Sequence, residues 1–342
     1  MLRPEDRWGC LPHAARTPPA KWRPVSRRGG AAQGRVARGG RAAHWAGMGA
    51  DVLCIGSVLW DVIGRAPVPM RAGNDVPGRI ARVPGGVALN IAMTLRRFGL
   101  TPALLSAVGR DPEGDELVRA CEARGLLCGA LYRSDDLPTD RYMAVEGANG
   151  LIAAIADAHS LEAAGAKILR PLADGRHGSA ERPYPGLVAL DGNLTVALLE
   201  EVARSPLFAR ADLRVAPASP GKADRLAPLL RHPRATLYVN LEEAGLLSKT
   251  APADSEAAAR ALVAMGAARV LVTDGGRPAC EATAERCLLR EPAAVMVTRV
   301  TGAGDTFMAA HVAAELRGEG PEDALETALR SAAQYVAGGD AP

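Results

Sequence analysis

Residues 301–307 read TGAGDTF, two glycines and a carboxylate at the point where an apolar run gives way to a helix. The run before it, Val295-Met296-Val297-Thr298, is β-branched and bounded by Pro292, so the predicted order is strand, tight turn, helix, the helix covering Asp305 to Arg317. Gly302 and Gly304 allow turns that a Cβ would hinder, and the free amides of a first helical turn, with the helix dipole, attract anions. A carboxylate at such a turn repels phosphate, so Asp305 is read as a base that takes the proton of an attacking hydroxyl. The competing role for Thr301 or Asp305 is a plain helix cap. GAGDTF has Phe307 where the third glycine of a dinucleotide turn belongs, and no GxxxxGK[ST] loop occurs, so a nucleotide would be held without a Walker lysine.

Two more groups bear chemistry. PGGVALN at 84–90 again sets glycines before a helix: Gly85 and Gly86 let a ligand approach the backbone, and Asn90, one turn in, offers a donor and an acceptor to sugar hydroxyls. Asp61 has the chemistry to accept two hydrogen bonds from a ribose-like diol, or to cap a turn. Asn240-Leu241-Glu242-Glu243 directly follows a strand at Thr236 to Val239. Glu243 there would hold magnesium through water at the carboxyl end of the sheet, or close a capping box with Asn240.

The elements that must position these groups alternate, from Asp51 onward, between short apolar runs and helical ones, the pattern of a mostly parallel sheet with helices on both faces. Strands are predicted at 51–56, 103–108, 128–133, 187–191, 212–216, 235–239 and 269–273, with helices at 86–98 and 112–124 and a β-hairpin at about 279–290. DRYMAVE and LIAAIA flank Gly147-Ala148-Asn149-Gly150, a hairpin at 140–156 that breaks the alternation. With short strands between 61 and 83 it is expected to build a small β lid over the sugar side, or simply a packed hairpin. Residues 170–186, with Pro171, Pro183 and Pro185, read as a surface excursion.

Composition narrows the class. Hydrophobic residues make up 48% of 342, ample for a buried core. The net charge of +3 hides nine Arg and one Lys against two acidic residues in 1–47, leaving the remainder at about −5, which excludes nucleic acid as a partner of the body by charge. Six cysteines at 10, 54, 121, 128, 280 and 287 include no CxxC, pointing to a reduced, cytoplasmic protein; the seven-residue step shared by Cys121/Cys128 and Cys280/Cys287 carries no metal signature. No apolar run has the length of a membrane span. Residues 1–47, rich in Arg, Gly, Pro and Ala, are expected to be a disordered extension upstream of a start at Met48, with 48–342 as the folded domain.

Taken in order, these motifs resemble the ribokinase-like (phosphofructokinase B type) carbohydrate kinase family, over about Val52 to Ala337. The resemblance implies a three-layer α/β fold with a β lid and an ATP- and Mg2+-dependent kinase. By it, Asp305 is the base and Gly302, Ala303 and Gly304 the anion hole. Asp61, Gly85, Gly86 and Asn90 would contact the sugar; Thr273, Gly275, Gly276 and Thr301 would border the nucleotide; Asn240 and Glu243 would organise magnesium. Within the family, PGGVALNIA at 84–92, TDRYMAVEGANGLIAAIADA at 139–158, LDGNL at 190–194 and ASPGKADRL at 218–226 look like pseudouridine kinases, which phosphorylate a ribose 5′-hydroxyl. Arg299 stands where many members have an acidic residue, in a stretch associated with a monovalent cation such as K+. Leu59 and Ala216 likewise depart from the pattern, and only 37 residues follow Asp305. Kinases for ribose or a purine nucleoside share these motifs, and a non-catalytic sugar or nucleoside sensor would use the same fold. An exposed lid strand would allow a homodimer through the lids.

Overall fold

Alternation along the first strand, β1 (Val52–Ile55), sets the layering: Val52 and Cys54 pack into one apolar cluster and Leu53 and Ile55 into the other. All four are buried, as a parallel strand covered on both faces requires. The computed structural model describes residues 49–339, so the expected Arg-rich extension and the Met48 start lie outside the described residues.

After β1 come β2 (Leu59–Arg65), β3 (Arg79–Gly85), α1 (Val87–Arg97), β4 (Pro102–Leu105), β5 (Ala107–Gly109), α2 (Pro112–Glu122), β6 (Tyr132–Ser134), β7 (Arg141–Gly147), β8 (Gly150–Asp157), α3 (His159–Ala164), α4 (Arg170–Ala173) and β9 (Leu187–Asp191). The second half runs α5 (Val196–Arg204), β10 (Asp212–Ala216), β11 (Ala235–Asn240), α6 (Leu241–Ser248), α7 (Ser255–Ala264), β12 (Arg269–Asp274), β13 (Arg277–Ala282), β14 (Cys287–Arg290), α8 (Ala303–Leu316) and α9 (Pro321–Val336). The main sheet has the order β14-β13-β12-β11-β10-β9-β1-β4. It is parallel from β4 to β12 and antiparallel at β13 and β14. Helices α1, α2, α8 and α9 cover the Val52/Cys54 side, and α5, α6 and α7 the other. Strand order reverses at β1, whose neighbours are β9 and β4, and ligands of open α/β sheets bind beyond the carboxyl ends of strands at such a point.

A second sheet, β3-β2-β7-β8, stands apart from the first. Asp61, Ile63, Tyr142 and Ala144 share one of its faces; Val62, Arg82, Met143 and Ile155 share the other, as the pairing registers dictate. Its root is tied to α2: Trp60 Nε1 donates to Glu113 O at 3.0 Å, Arg141 pairs with Glu113 at 2.6 Å and Arg82 with Glu116 at 2.5 Å.

Two expectations fail. Val295 to Thr298 form no strand; residues 291–302 run as a loop with Met296 82% exposed and Val297 60%. Among the described residues no strand lies beside this segment, and β-branched propensity without a partner to pair with does not make a strand. The 170–186 segment is not a mere surface excursion: Leu172 and Tyr184 are buried in the core cluster around Leu53 and Ile55. Its prolines shape a segment anchored by apolar side chains at both ends.

Candidate active site

The turn before α8 is built by Gly302, whose φ of 89° lies in the left-handed region that favours glycine. No side chain caps the helix, so the capping role considered for Thr301 and Asp305 is not what they do. Ala303 N donates back to Val300 O at 3.0 Å, and Thr306 N to Gly302 O at 3.0 Å. Among the described residues the amides of Gly304 and Asp305 take no backbone acceptor, which leaves two donors at the positive end of a 14-residue helix. The Thr301 carbonyl instead accepts the Tyr335 hydroxyl at 2.8 Å.

Asp305 lies in the first turn of α8 and accepts a hydrogen bond from Asn90 Nδ2 at 3.0 Å, a contact across 215 residues that joins the two glycine motifs. Burial pushes its carboxyl up to about 7 against the lowering effect of that bond, and the charges of Asp191, Asp61 and Glu243 push the same way. Asn90 is therefore tied to Asp305 across the site instead of being left to solvent. Asp61 sits inside β2, not at a turn, and burial raises it to about 6. A Cβ on Gly85 would fall 2.0 Å from Asp61 Oδ2, and one on Gly86, at φ 98°, 2.6 Å from Ser57 O. The double glycine is thus needed for the carboxylate and the start of α1 to approach each other.

Asn240 and Glu243 form a complete capping box at α6: Glu243 N donates to Asn240 Oδ1 and Asn240 N to Glu243 Oε2, both at 2.8 Å. Glu243 is nevertheless 8% exposed, and its carboxyl is pushed up to about 7 by burial. Among the described residues its other oxygen accepts no hydrogen bond, so capping and a water-mediated metal contact are compatible. Thr273 pairs with Asn240 in the β11–β12 ladder, and Gly275 and Gly276 form the exposed turn into β13. These three border the carboxyl end of the sheet and make no direct contact with Asp305 among the described residues.

Sequence reasoning missed Asp191 as a site residue. It ends β9 and is fully buried; its Oδ2 accepts Ser57 N at 2.7 Å, Ser57 Oγ at 2.5 Å and Ala88 N at 3.3 Å, and its Oδ1 accepts Asn193 N at 2.6 Å. One carboxylate therefore ties the end of β1 to the start of α1 and to the loop after β9. Asn193 donates from Nδ2 to Ser57 Oγ at 3.1 Å, and its Oδ1 accepts from Lys222 Nζ at 2.5 Å. The signal available was an Asp closing the all-apolar run LVAL, at the ligand end of a parallel strand.

Also missed was the anchor of α8. This helix is buried almost all round, and its His311, fully buried, shares a hydrogen bond with Tyr238 Oη at 2.9 Å. Arg214 donates to Tyr238 Oη at 3.0 Å and pairs with Glu315, while Arg269 bridges Glu315 at 2.7 Å and Glu281 at 3.0 Å. Charges so deeply placed add little net stability, but each orphaned by a deletion is expensive, so the network fixes one position of α8 on the sheet. That position carries Asp305.

The sequence profile described as pfkB family carbohydrate kinase matches residues 50–341. An uncharacterized sugar kinase, YeiI, of Escherichia coli (strain K12) is 31% identical over 295 residues, 83% of this chain and 78% of that protein. A pseudouridine kinase of the same organism is 29% identical over 276 residues, 75% of this chain and 81% of that protein. Among solved structures, a putative ribokinase II in complex with ATP and Mg2+ from E. coli aligns with a TM-score of 0.66 at 19% identity, covering 84% of this chain and 93% of that one.

Proposed function

From its membership of the pfkB family of carbohydrate kinases, to which this chain belongs, we propose that it transfers the γ-phosphoryl group of ATP to the 5′-hydroxyl of a ribosyl compound, pseudouridine first among the candidates. The observation that carries the reading is the Asn90–Asp305 bond: it sets a sugar-type donor against a buried carboxylate at the mouth of an amide-lined turn. Asp61 and Asn90 hold the sugar hydroxyls, and Gly85 and Gly86 admit them close to the backbone. Asp305 takes the proton as the alcohol oxygen bonds to the γ-phosphorus and the bond to the β–γ bridging oxygen breaks, leaving ADP. The Gly302 to Gly304 turn, through the free Gly304 and Asp305 amides, stabilises charge on the transferring group.

Thr273, Gly275, Gly276 and Thr301 are assigned to the nucleotide. Magnesium fits the oxygen-only chemistry at the sheet's carboxyl end, where Asp61, Asp191, Glu243 and Asp305 share one electrostatic field. Glu243, held by Asn240, would meet it through water; when bound it neutralises phosphate charge.

Pseudouridine is favoured over ribose by the 29% identity with a pseudouridine kinase over most of both chains. A panel of pseudouridine, uridine, adenosine and ribose, read by ADP formation with Mg-ATP, tests this. We expect kcat/KM for pseudouridine at least about tenfold above the others, a difference of roughly 1.4 kcal/mol. A higher value for ribose sinks the substrate assignment, and tight binding without turnover selects a sensor.

The face of the second sheet opposite Asp61 leaves Ile80 81%, Ile155 62% and Met143 46% exposed, a patch suited to a second copy of the chain. Light scattering should give a dimer that Ile155→Lys converts to monomer; a monomeric parent ends that reading. The cysteines Cys54, Cys121, Cys128, Cys280 and Cys287 are free thiols, and among the described residues no helix is long and apolar enough to cross a membrane.

A further inference from the structure

Residues 298–302, the approach to the anion turn, are fastened to the end of α9. Thr298 N and Arg299 N donate to Val336 O at 2.7 and 3.2 Å, and Thr298 Oγ1 reaches the same oxygen at 3.1 Å. Arg299 Nε donates to Tyr335 O at 2.8 Å and its Nη2 to Gly339 O. The guanidinium lies over the Tyr335 ring, 3.8 Å from its centroid, and the hydroxyl of that ring donates to Thr301 O. The same hydroxyl oxygen is 2.6 Å from where a Cβ on Gly302 would stand. One side chain thus connects the last carbonyls of a 16-residue helix to the turn that carries the free amides.

A helix C-terminus presents carbonyls without intrahelical partners and the negative end of the dipole. The Arg299 guanidinium takes one carbonyl of the last turn of α9, Tyr335 O, and one from the segment beyond the helix, Gly339 O, and with an aromatic face beneath it these constitute a cation site whose occupant is covalently attached. Covalently attached, Arg299 cannot leave or exchange with solvent ions. Because Tyr335 is both the platform for Arg299 and the donor to Thr301, a displaced guanidinium would free the ring and with it the carbonyl next to Gly302.

We propose that the Arg299 guanidinium acts as a built-in monovalent cation, a positioning group that holds the Gly302 to Gly304 turn in register for phosphate and makes the site independent of added K+. The inference rests on the nucleotide assignment made above, and its test does not need turnover. Calorimetric titration with a non-hydrolysable ATP analogue and Mg2+ is run in choline chloride and again in potassium chloride. The parent protein should bind equally in both. Arg299→Ala should bind about tenfold more weakly in choline and recover most of that loss in potassium or guanidinium chloride, because a free cation can enter the vacated carbonyl pocket. Arg299→Lys, with a point charge and no planar fork, should fall between. Parent binding that tightens in potassium, an Arg299→Ala variant that binds normally in choline, or one that no cation rescues would each overturn the proposal. Should Arg299→Ala not fold, equal parent affinity in the two salts with weakened Arg299→Lys supports it, and unequal affinity refutes it. A parent that binds the analogue equally well in both salts yet transfers phosphate to no acceptor removes the kinase reading alone.

Discussion

Asp305→Asn is expected to lower kcat by about a thousandfold, the scale of a general base, while the affinity for the acceptor changes by less than about threefold. The amide keeps the volume and retains an oxygen for the Asn90 donor, so only the proton acceptor is lost. Removing a carboxyl that burial holds up at about 7 also relieves the folded state. Since an unfolded Asp ionises near 3.8, the penalty in the parent builds from about pH 4 and is complete above about 7. The variant should accordingly melt above the parent at pH 8 and level with it at pH 3.5. The same carboxyl sets the pH profile of the parent: the ionised base is present above about 7, so kcat/KM should fall tenfold per unit below that value and level off above it. Near-parent turnover in Asp305→Asn, or a profile flat from pH 5 to 8, rules out the assignment of the base.

Asp191→Ala should be the most damaging single change outside the reacting groups. It removes the acceptor of four hydrogen bonds and leaves the Ser57, Ala88 and Asn193 amides without their partner in a region sealed from water. Orphaned buried donors cost about 1–3 kcal/mol each, and partial relaxation brings the total to about 3–4 kcal/mol. For a domain of this size that lowers the melting temperature by roughly 10 °C. Because the same bonds fix the start of α1, acceptor KM should rise at least about tenfold even where the variant remains folded. Asp191→Asn, which keeps most acceptor capacity, should lose less than half as much stability. A melting temperature within 2 °C of the parent for Asp191→Ala would show that water replaces the carboxylate freely, contrary to its burial.

What the chain disclosed before folding was what local rules encode. Glycines that need left-handed φ or close approach, at Gly86 and Gly302, were visible because no other residue serves there. So were the period-two and helical repeats that give the layers, and the Asn240/Glu243 spacing that caps α6. Propensity misled at Val295 to Thr298, because a strand needs a neighbour to pair with and this segment has none among the described residues. It was silent about Tyr184, whose burial depends on a core cluster assembled from residues distant in sequence.

The tertiary structure alone decided which of these motifs meet. Asn90 reaches Asp305 because α1 and α8 pack side by side on one face of the sheet. Asp191 joins Ser57 because β9 is inserted beside β1, 134 residues apart in sequence. Protonation behaviour was beyond the sequence for the same reason: burial and the summed field of carboxylates from three other segments move Asp305 toward neutrality, and only the fold brings those segments together.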